Sequence, residues 1–321
     1  MAGAKKPLSR WNWVIIAVVI LMVVITPMSI YAAADIEKKD LNDTTRAQIG
    51  GSYIKLPDGV TNYELTGPKE GQIVVLVHGS TIPMYVWDAQ VDDLAKAGFR
   101  VLRYDLYGKG YSDRPVADYS QEFYRKQLLN LLDALGIKQS VDLVGLSMGG
   151  GLAVDFTANH PDRVNKLALV DPVINSIKND SNIKILRPPV WGEFLMRLIA
   201  TNSIAKRAAD LMKKSPRAAE YEKMFREQTC YKGFERATLS MFRSDATTDY
   251  RSDYQTVGKQ SRPILLIWAT LDEDITPEMV QEIKKAMPNL DFKQLDGIGH
   301  DPQVEVPDKV NSLIIDFLKQ Q

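Results

Sequence analysis

The chain reads as an α/β fold, a mostly parallel sheet with helices on both faces and a helical cap inserted between two of its strands. Three observations predict this. Short, apolar, β-branched runs alternate with stretches whose apolar residues recur at helical spacing. The alternation lapses over residues 173–262, which read as helices alone, and then resumes. One apolar run, Val141 to Val144, leads through Gly145-Leu146-Ser147-Met148-Gly149 into a helical pattern ending near Asn159, a strand, tight turn and helix with a serine at the apex.

Taken in order, residues 1–34 stand apart. Lys5, Lys6 and Arg10 precede an uncharged stretch, Trp11 to Ala34, with its apolar heart at Val14 to Ile25. As a membrane anchor, Trp11 to Tyr31 is long enough to cross a bilayer, with Trp11, Trp13 and Tyr31 as interfacial aromatics. As a signal peptide, Pro27 would break the helix and Ala32-Ala33-Ala34 would offer a small-residue cleavage site. Length and aromatic flanks favour the single-pass anchor over secretion after cleavage near Ala34. In both readings the N-terminus is cytoplasmic and the bulk of the protein crosses. Residues 35–50 read as a polar tether, and 51–321 as the main domain.

Within that domain, Ser52–Leu56 and Val60–Leu65 flank Pro57-Asp58-Gly59, a hairpin signal. Gln72 to Val77 is a buried strand ending in His78-Gly79-Ser80. Trp87 to Ala97 reads as a helix closed by Gly98, and Arg100 to Tyr104 as the next strand. Ser120 opens a helix with the stripe Phe123, Leu128, Leu131, Leu132 and Leu135. After the serine turn come a strand, Lys166 to Val170, and the helical block, with helices at Trp191–Ala200, Ile204–Lys214 and Ala218–Gln228. The strand Pro263–Ala269, the helix Pro277–Met287, the strand Phe292–Leu295 and a last helix from Pro307 to Lys319 restore the rhythm.

Composition narrows the function. The 321 residues carry 40 Lys+Arg and 40 Asp+Glu, and this neutrality argues against a dedicated nucleic-acid binder. Cys230 is the single cysteine, so there is no intrachain disulfide and no cysteine metal cluster. No metal or organic cofactor is implied. The turn around Ser147 lifts its hydroxyl above the sheet at a helix N-terminus, where free N–H groups favour developing negative charge. A serine hydroxyl needs a base to take its proton. Only His78, His160 and His300 are available. His300 lies in a glycine-flexed loop after the last strand, at the same carboxyl edge as Ser147, and is the expected base. His78 is expected to make structural hydrogen bonds and His160 to cap a helix. For the acid that orients the base, Asp272 is the first choice, Asp274 the second and Asp171 an outside candidate. The N–H groups of Met148 and Ser80 are the expected oxyanion donors.

These residues together resemble the α/β-hydrolase superfamily. His78-Gly79-Ser80 followed by Trp87, the run Arg103-Tyr104-Asp105-Leu106-Tyr107-Gly108-Lys109-Gly110-Tyr111-Ser112-Asp113, the serine elbow, Asn159-His160-Pro161-Asp162-Arg163-Val164 and Gly297-Ile298-Gly299-His300 are all similar to its motifs. The resemblance covers roughly 51–172 and 263–321, and within the superfamily is strongest to membrane-associated monoacylglycerol-lipase and carboxylesterase branches. It implies the chain order Ser147, Asp272, His300 for a catalytic triad. The chain departs from the pattern in the cluster Asp272-Glu273-Asp274, in Ala269 where a glycine is common, and in a third elbow glycine, Gly151.

A serine at the elbow disfavours the relatives that use aspartate there. Hydrolysis of carboxylic esters, lipid-like or of monoacylglycerol type, through an acyl-enzyme is the simplest expectation, with a small, amphiphilic ester as substrate. The same triad also permits thioester, amide or carbon–carbon bond hydrolysis, and some relatives of this fold are ligand-binding proteins without turnover. Acyl length and oligomeric state are not legible. The cap, 173–262, carries 17 Lys+Arg against 10 Asp+Glu, an excess of seven positive charges. Solvated helix faces account for that excess, and so would contact with anionic lipid headgroups through Lys206, Arg207, Lys213 and Lys214.

Overall fold

The computed structural model describes residues 9–175 and 181–320; Lys5 and Lys6 lie outside the described residues. Eight strands form one sheet in the order β1-β2-β4-β3-β5-β6-β7-β8. They are β1 Ser52–Leu56, β2 Gly59–Thr66, β3 Ile73–Val77, β4 Arg100–Tyr104, β5 Val141–Leu146, β6 Val164–Val170, β7 Ile264–Ala269 and β8 Asp291–Leu295. β2 runs antiparallel to β1 and β4, and every other pairing is parallel. β3, β5 and β7 are buried along their whole length, as their unbroken apolar sequences require of strands covered on both faces.

Numbered along the chain, the helices of seven residues or more begin with α1 (Arg10–Ala33), α2 (Asp43–Ile49), α3 (Asp88–Lys96), α4 (Gln121–Ala134) and α5 (Met148–Asn159). After β6 come α6 (Trp191–Leu195, Met196–Ala200 and Thr201–Met212 in unbroken succession), α7 (Ala218–Thr229), α8 (Phe234–Arg243) and α9 (Arg251–Val257). α10 (Pro277–Ala286) and α11 (Pro307–Lys319) complete the fold. The pleat sends Val74 and Leu76 to one face, against Leu94 of α3 and Val310 and Ile314 of α11. Val75 and Val77 face the other, where Leu131 of α4, Val154 of α5, Tyr254 of α9 and Ile283 of α10 pack.

α6 corrects a reading of the sequence, which placed two helices where one runs through. Thr201-Asn202-Ser203 looks like a break because such side chains compete with the helix for backbone groups. Here the Thr201 hydroxyl turns back to donate to the Met196 carbonyl at 3.0 Å and Ser203 to Ile199 at 3.2 Å, across a π-turn at Met196–Ala200.

The segment 35–50, read as a polar tether, is laid along the cap over its first part. Lys39 donates its N–H to the Cys230 carbonyl and accepts the Lys232 N–H, both at 2.9 Å, forming a parallel bridge. The Glu37 carboxylate accepts the N–H groups of Gly233 (3.1 Å) and Glu235 (2.7 Å), where α8 begins. α8 has a glycine where a capping side chain would sit, so an acid distant in sequence satisfies its free donors. The cap's basic excess is likewise answered in part by acids of the sheet domain. Arg207 pairs with Asp274, Lys214 with Glu305 and Arg217 with Asp88.

The cap meets the sheet domain at Gly151 of α5. A Cβ at this position would lie 2.7 Å from the ring of Tyr250, which is fully buried and donates its hydroxyl to the Ala246 carbonyl at 2.7 Å. The third elbow glycine is therefore a packing requirement of the cap. Gly151→Val should destabilise the protein by about 1–3 kcal/mol, the usual range for overpacking a filled core. Thermal unfolding checks this, and an unchanged midpoint would show that Tyr250 moves aside freely.

Candidate active site

The elbow is held in a conformation that costs energy. Ser147 has φ 54° and ψ −122°, outside the regions a residue with a Cβ favours. Its N–H donates to the Val170 carbonyl of β6 at 3.1 Å, and its own carbonyl accepts the Gly150 (2.9 Å) and Val173 (3.1 Å) N–H groups. Gly149 lets the turn lie against the end of β3, since a Cβ there would be 2.4 Å from the Val77 and His78 carbonyl oxygens. The side chain of Ser147 is thereby brought beside the loop after β3, where a Cβ on Gly79 would be 3.3 Å from that of Ser147.

That loop is fixed by His78, which is fully buried. Its Nε2 accepts the Leu106 N–H at 2.9 Å, so its Nδ1 carries the proton and donates to the Gly79 carbonyl at 2.7 Å. Burial pushes its pKa down to about 3. His160 packs against Phe156 at the end of α5, with ring centroids 5.1 Å apart and planes tilted by 46°. Among the described residues the Ser80 and Met148 N–H groups donate no hydrogen bond, leaving two free donors on the segments that flank Ser147.

His300 follows β8 and Asp272 follows β7. His300 Nδ1 donates to Asp272 Oδ2 at 2.7 Å, while Asp272 Oδ1 accepts the N–H groups of Asp274 (2.7 Å) and Ile275 (3.0 Å). Both oxygens of this side chain are thus spoken for, and the side chain is shut off from solvent. Asp274 is half exposed, with Oδ2 3.7 Å from His300 Nε2 and an ion pair to Arg207 of α6. Asp171 also reaches the site. Its Oδ1 accepts the Ala269 N–H at 2.9 Å, its buried Oδ2 has no partner among the described residues, and its backbone is held at φ 41°. Burial first, and then the charge of Asp272, raises its pKa well above the carboxylate range. Burial also raises the pKa of Asp301.

Burial opposes the charged form of His300, but its hydrogen bond to Asp272 and the negative charge of Asp272, Asp301 and Asp274 outweigh this and raise its pKa. Donor atoms of Asp171, Asp272 and His300 lie within 4.8 Å of one another, a spacing that would suit a metal ion. The Nδ1–Oδ2 contact is nonetheless a hydrogen bond across a shared proton, and the two groups it joins are already paired. Among the described residues no hydrogen bond joins Ser147 to His300, and hydrogen bonds of this kind are often long in free enzymes.

Two buried groups were not singled out from the sequence. Asp105, after β4, accepts hydrogen bonds from the Asn62 side chain (2.7 Å), the Met84 N–H (3.0 Å) and the Tyr111 N–H (2.9 Å), tying the loop beyond Ser80 to the one after β4. Its place at a strand end was a signal, but its partners are remote. Lys109 is buried against α8, with Nζ 3.4 Å from the Thr238 hydroxyl and 5.6 Å from the centre of the Phe234 ring, and burial lowers its pKa to about 7. A cavity of about 180 Å³ lies between Met84, Asp88, Arg103, Tyr111, Arg217 and Gln228, and none of Ser147, Asp272 or His300 lines it.

Comparison with known proteins follows the same outline. Residues 72–307 match the family described as alpha/beta hydrolase fold. Bifunctional epoxide hydrolase 2 of Rattus norvegicus is 25% identical over 78% of the chain, which spans about half (52%) of that relative's length. A 2-hydroxy-6-oxononadienedioate/2-hydroxy-6-oxononatrienedioate hydrolase of Paraburkholderia phymatum is 27% identical over 84% of this chain and 95% of its own. Lipase 1 of Psychrobacter immobilis is 27% identical over 77% of each. Among solved structures, a thermophilic esterase of Thermogutta terrifontis superposes with a TM-score of 0.68 at 25% identity, over 84% of this chain and 98% of its own.

The geometry separates the acids experimentally. Asp272→Asn should lower turnover of a nitrophenyl ester by about 10⁴, because the amide presents the wrong partner to Nδ1. Asp274→Asn should retain most activity but move the ascending limb of the pH–rate profile. With His300 as the expected base, wild type needs it neutral and gains activity as pH rises through the raised pKa. Removing the Asp274 charge lowers that pKa and shifts the limb to lower pH. A dead Asp274→Asn beside an active Asp272→Asn would reverse the two roles.

Proposed function

The chain belongs to the α/β-hydrolase fold family, and from that premise we propose that it is a serine hydrolase of carboxylic esters. The observation that carries this reading is the Asp272 carboxylate, held by two backbone N–H groups on one oxygen and paired to His300 Nδ1 on the other, at the sheet edge where Ser147 stands. Similarity to a lipase and an esterase supports the ester class.

In this mechanism Ser147 Oγ attacks the ester carbonyl carbon as its proton passes to His300 Nε2. The carbonyl oxygen becomes an oxyanion, and the Ser80 and Met148 N–H groups stabilise it. His300 then gives the proton to the departing alcohol, leaving an acyl group on Ser147. A water molecule, deprotonated by the same imidazole, releases the acid and restores the serine. Asp272 keeps Nδ1 protonated, so that Nε2 is the free acceptor, and stabilises the imidazolium as it forms.

The substrate is a small amphiphilic ester, and the exposed apolar helix α1 is a single-pass anchor that leaves the catalytic domain on the far side of the membrane from residue 1. The 2-hydroxy-6-oxo dioate hydrolase similarity favours a second reading, carbon–carbon bond hydrolysis by the same triad.

Activity profiling of the full chain tests these readings. A serine-directed fluorophosphonate should label wild type and not Ser147→Ala. Acyl esters should turn over at least about 10³-fold faster with wild type than with the variant, the scale on which triad removal acts. Labelling without turnover of any ester, but with cleavage of a vinylogous diketone acid, would favour the second reading. Unchanged ester turnover in Ser147→Ala would sink both.

A further inference from the structure

We propose that the edge of the cap around Val190, Trp191 and Ile199 is a lipid-inserting surface, held level with the end of α1 so that the cap sits in the bilayer boundary with the anchor. This rests on the anchor reading of α1 and names where an amphiphilic ester would enter.

α1 is uncovered along its length. None of its residues is buried, although its mean hydropathy over the most apolar eighteen residues is 2.7. Its last aromatic, Tyr31, does not hang free. The Tyr31 ring stacks on Phe194 of α6, with centroids 6.0 Å apart and planes 9° from parallel, and Trp191 meets Phe194 edge-on at 6.2 Å. The guanidinium of Arg197 lies over the other side of the contact, 4.2 Å from the centre of the Tyr31 ring, and its Nε donates to Glu235 at 3.0 Å. Tyr31, Phe194 and Trp191 therefore form one row of rings from the anchor into the cap.

Beyond this row the cap turns large apolar side chains outward. Val190 is 80% exposed, Trp191 65% and Ile199 58%. Scattered exposed apolar residues need no explanation, but a run of them continuous with an uncovered apolar helix does. Tyr and Trp settle at the headgroup level of a bilayer, and an Arg beside them can keep its charge in the polar layer. The strap from Asp35 to Asp40 fixes the geometry, since Lys39 is bridged to the cap only six positions after α1 ends. The occupant is lipid rather than anionic protein, because the edge itself is apolar. Arg207 and Lys214, two of the cations that might have sought anionic headgroups, are paired with Asp274 and Glu305 of the sheet domain. Contact should accordingly be insensitive to salt.

The full chain provides its own probe site, because Cys230 is the single cysteine. In a Cys230→Ala background, Ile199→Cys carries a small fluorophore, and Val116→Cys, 89% exposed in the sheet domain, serves as control. The protein is placed in phosphatidylcholine vesicles containing a lipid with a nitroxide near the headgroup. Strong quenching at 199, weak quenching at 116 and no change between low and high salt are expected. Equal quenching at the two sites rejects the proposal. So does protection of 199 from aqueous iodide without nitroxide quenching, which would mean a second protein copy covers the edge, and so does quenching lost at high salt.

A second arm reads the consequence. Trp191→Glu should reduce turnover of a monoacylglycerol held in the vesicle by roughly tenfold, as expected when a charge replaces an inserted aromatic, and leave turnover of a soluble butyrate ester unchanged. Equal losses on both substrates would count against entry from the bilayer. The quenching measurement needs no catalysis. An inactive protein that is quenched at 199 refutes the ester reading alone, and an active one that is not quenched refutes the surface alone.

Discussion

The backbone of Ser147 is the constraint from which the site is built. A residue with a Cβ resists positive φ, and the turn persists because its surroundings over-determine it. β6 accepts its N–H, the chain after β6 donates to its carbonyl, and the end of β3 lies against Gly149 so closely that no side chain fits. These three contacts come from β3 and β6, the two parallel strands that flank β5. Shifting any one of them would move the serine relative to the Gly79–Ser80 loop, so the stability of the sheet and the position of the hydroxyl are one property.

The acid side of the site works by surplus. Four aspartates, Asp171, Asp272, Asp274 and Asp301, bear on one imidazole, and burial raises the pKa of two of them, Asp171 and Asp301. Asp272 is the one whose second oxygen is satisfied by backbone N–H groups, which favour its anionic form. Asp171 has an orphaned buried oxygen, and burial raises its pKa well above the carboxylate range. The division of labour among chemically identical residues is thus decided by which of them the backbone can solvate.

This is also where the sequence stops being legible. Apolar runs revealed the buried strands β3, β5, β6 and β7, and Pro57-Asp58-Gly59 revealed the antiparallel edge pair, because burial on both faces and tight turns impose local composition. Ser147 and His300 stand out for the same local reason, one in a glycine turn and the other in a glycine loop. Nothing local distinguishes Asp272 from Asp274: they differ in which oxygen meets which N–H, and only the folded loop defines that. Asp105 as a hub and Glu37 as the cap of α8 are harder still to read, since Asp105 joins partners 6 to 43 positions away and those of Glu37 lie 196 to 198 positions away along the chain. Thr201 misleads outright, because its preference for leaving a helix is satisfied within the helix by a single carbonyl.

The strap at residues 35–40 changes what the N-terminal helix can mean for the rest of the molecule. A free sixteen-residue polar linker would let the catalytic domain wander by roughly 20 Å from its attachment, on the scaling of flexible chains. The bridge at Lys39 and the cap at Glu37 remove that freedom within a few residues of α1. They also couple α1 to the cap's own energetics, because the Gly233 and Glu235 N–H groups at the start of α8 are satisfied by the strap. α8 in turn carries Phe234 and Thr238, which enclose Lys109, and ends near Ser244, whose hydroxyl donates to the Tyr119 carbonyl of the sheet domain. A pull on α1 would therefore be felt through the strap at the start of α8 and, through α8, at the seam between cap and sheet around Lys109 and Tyr119.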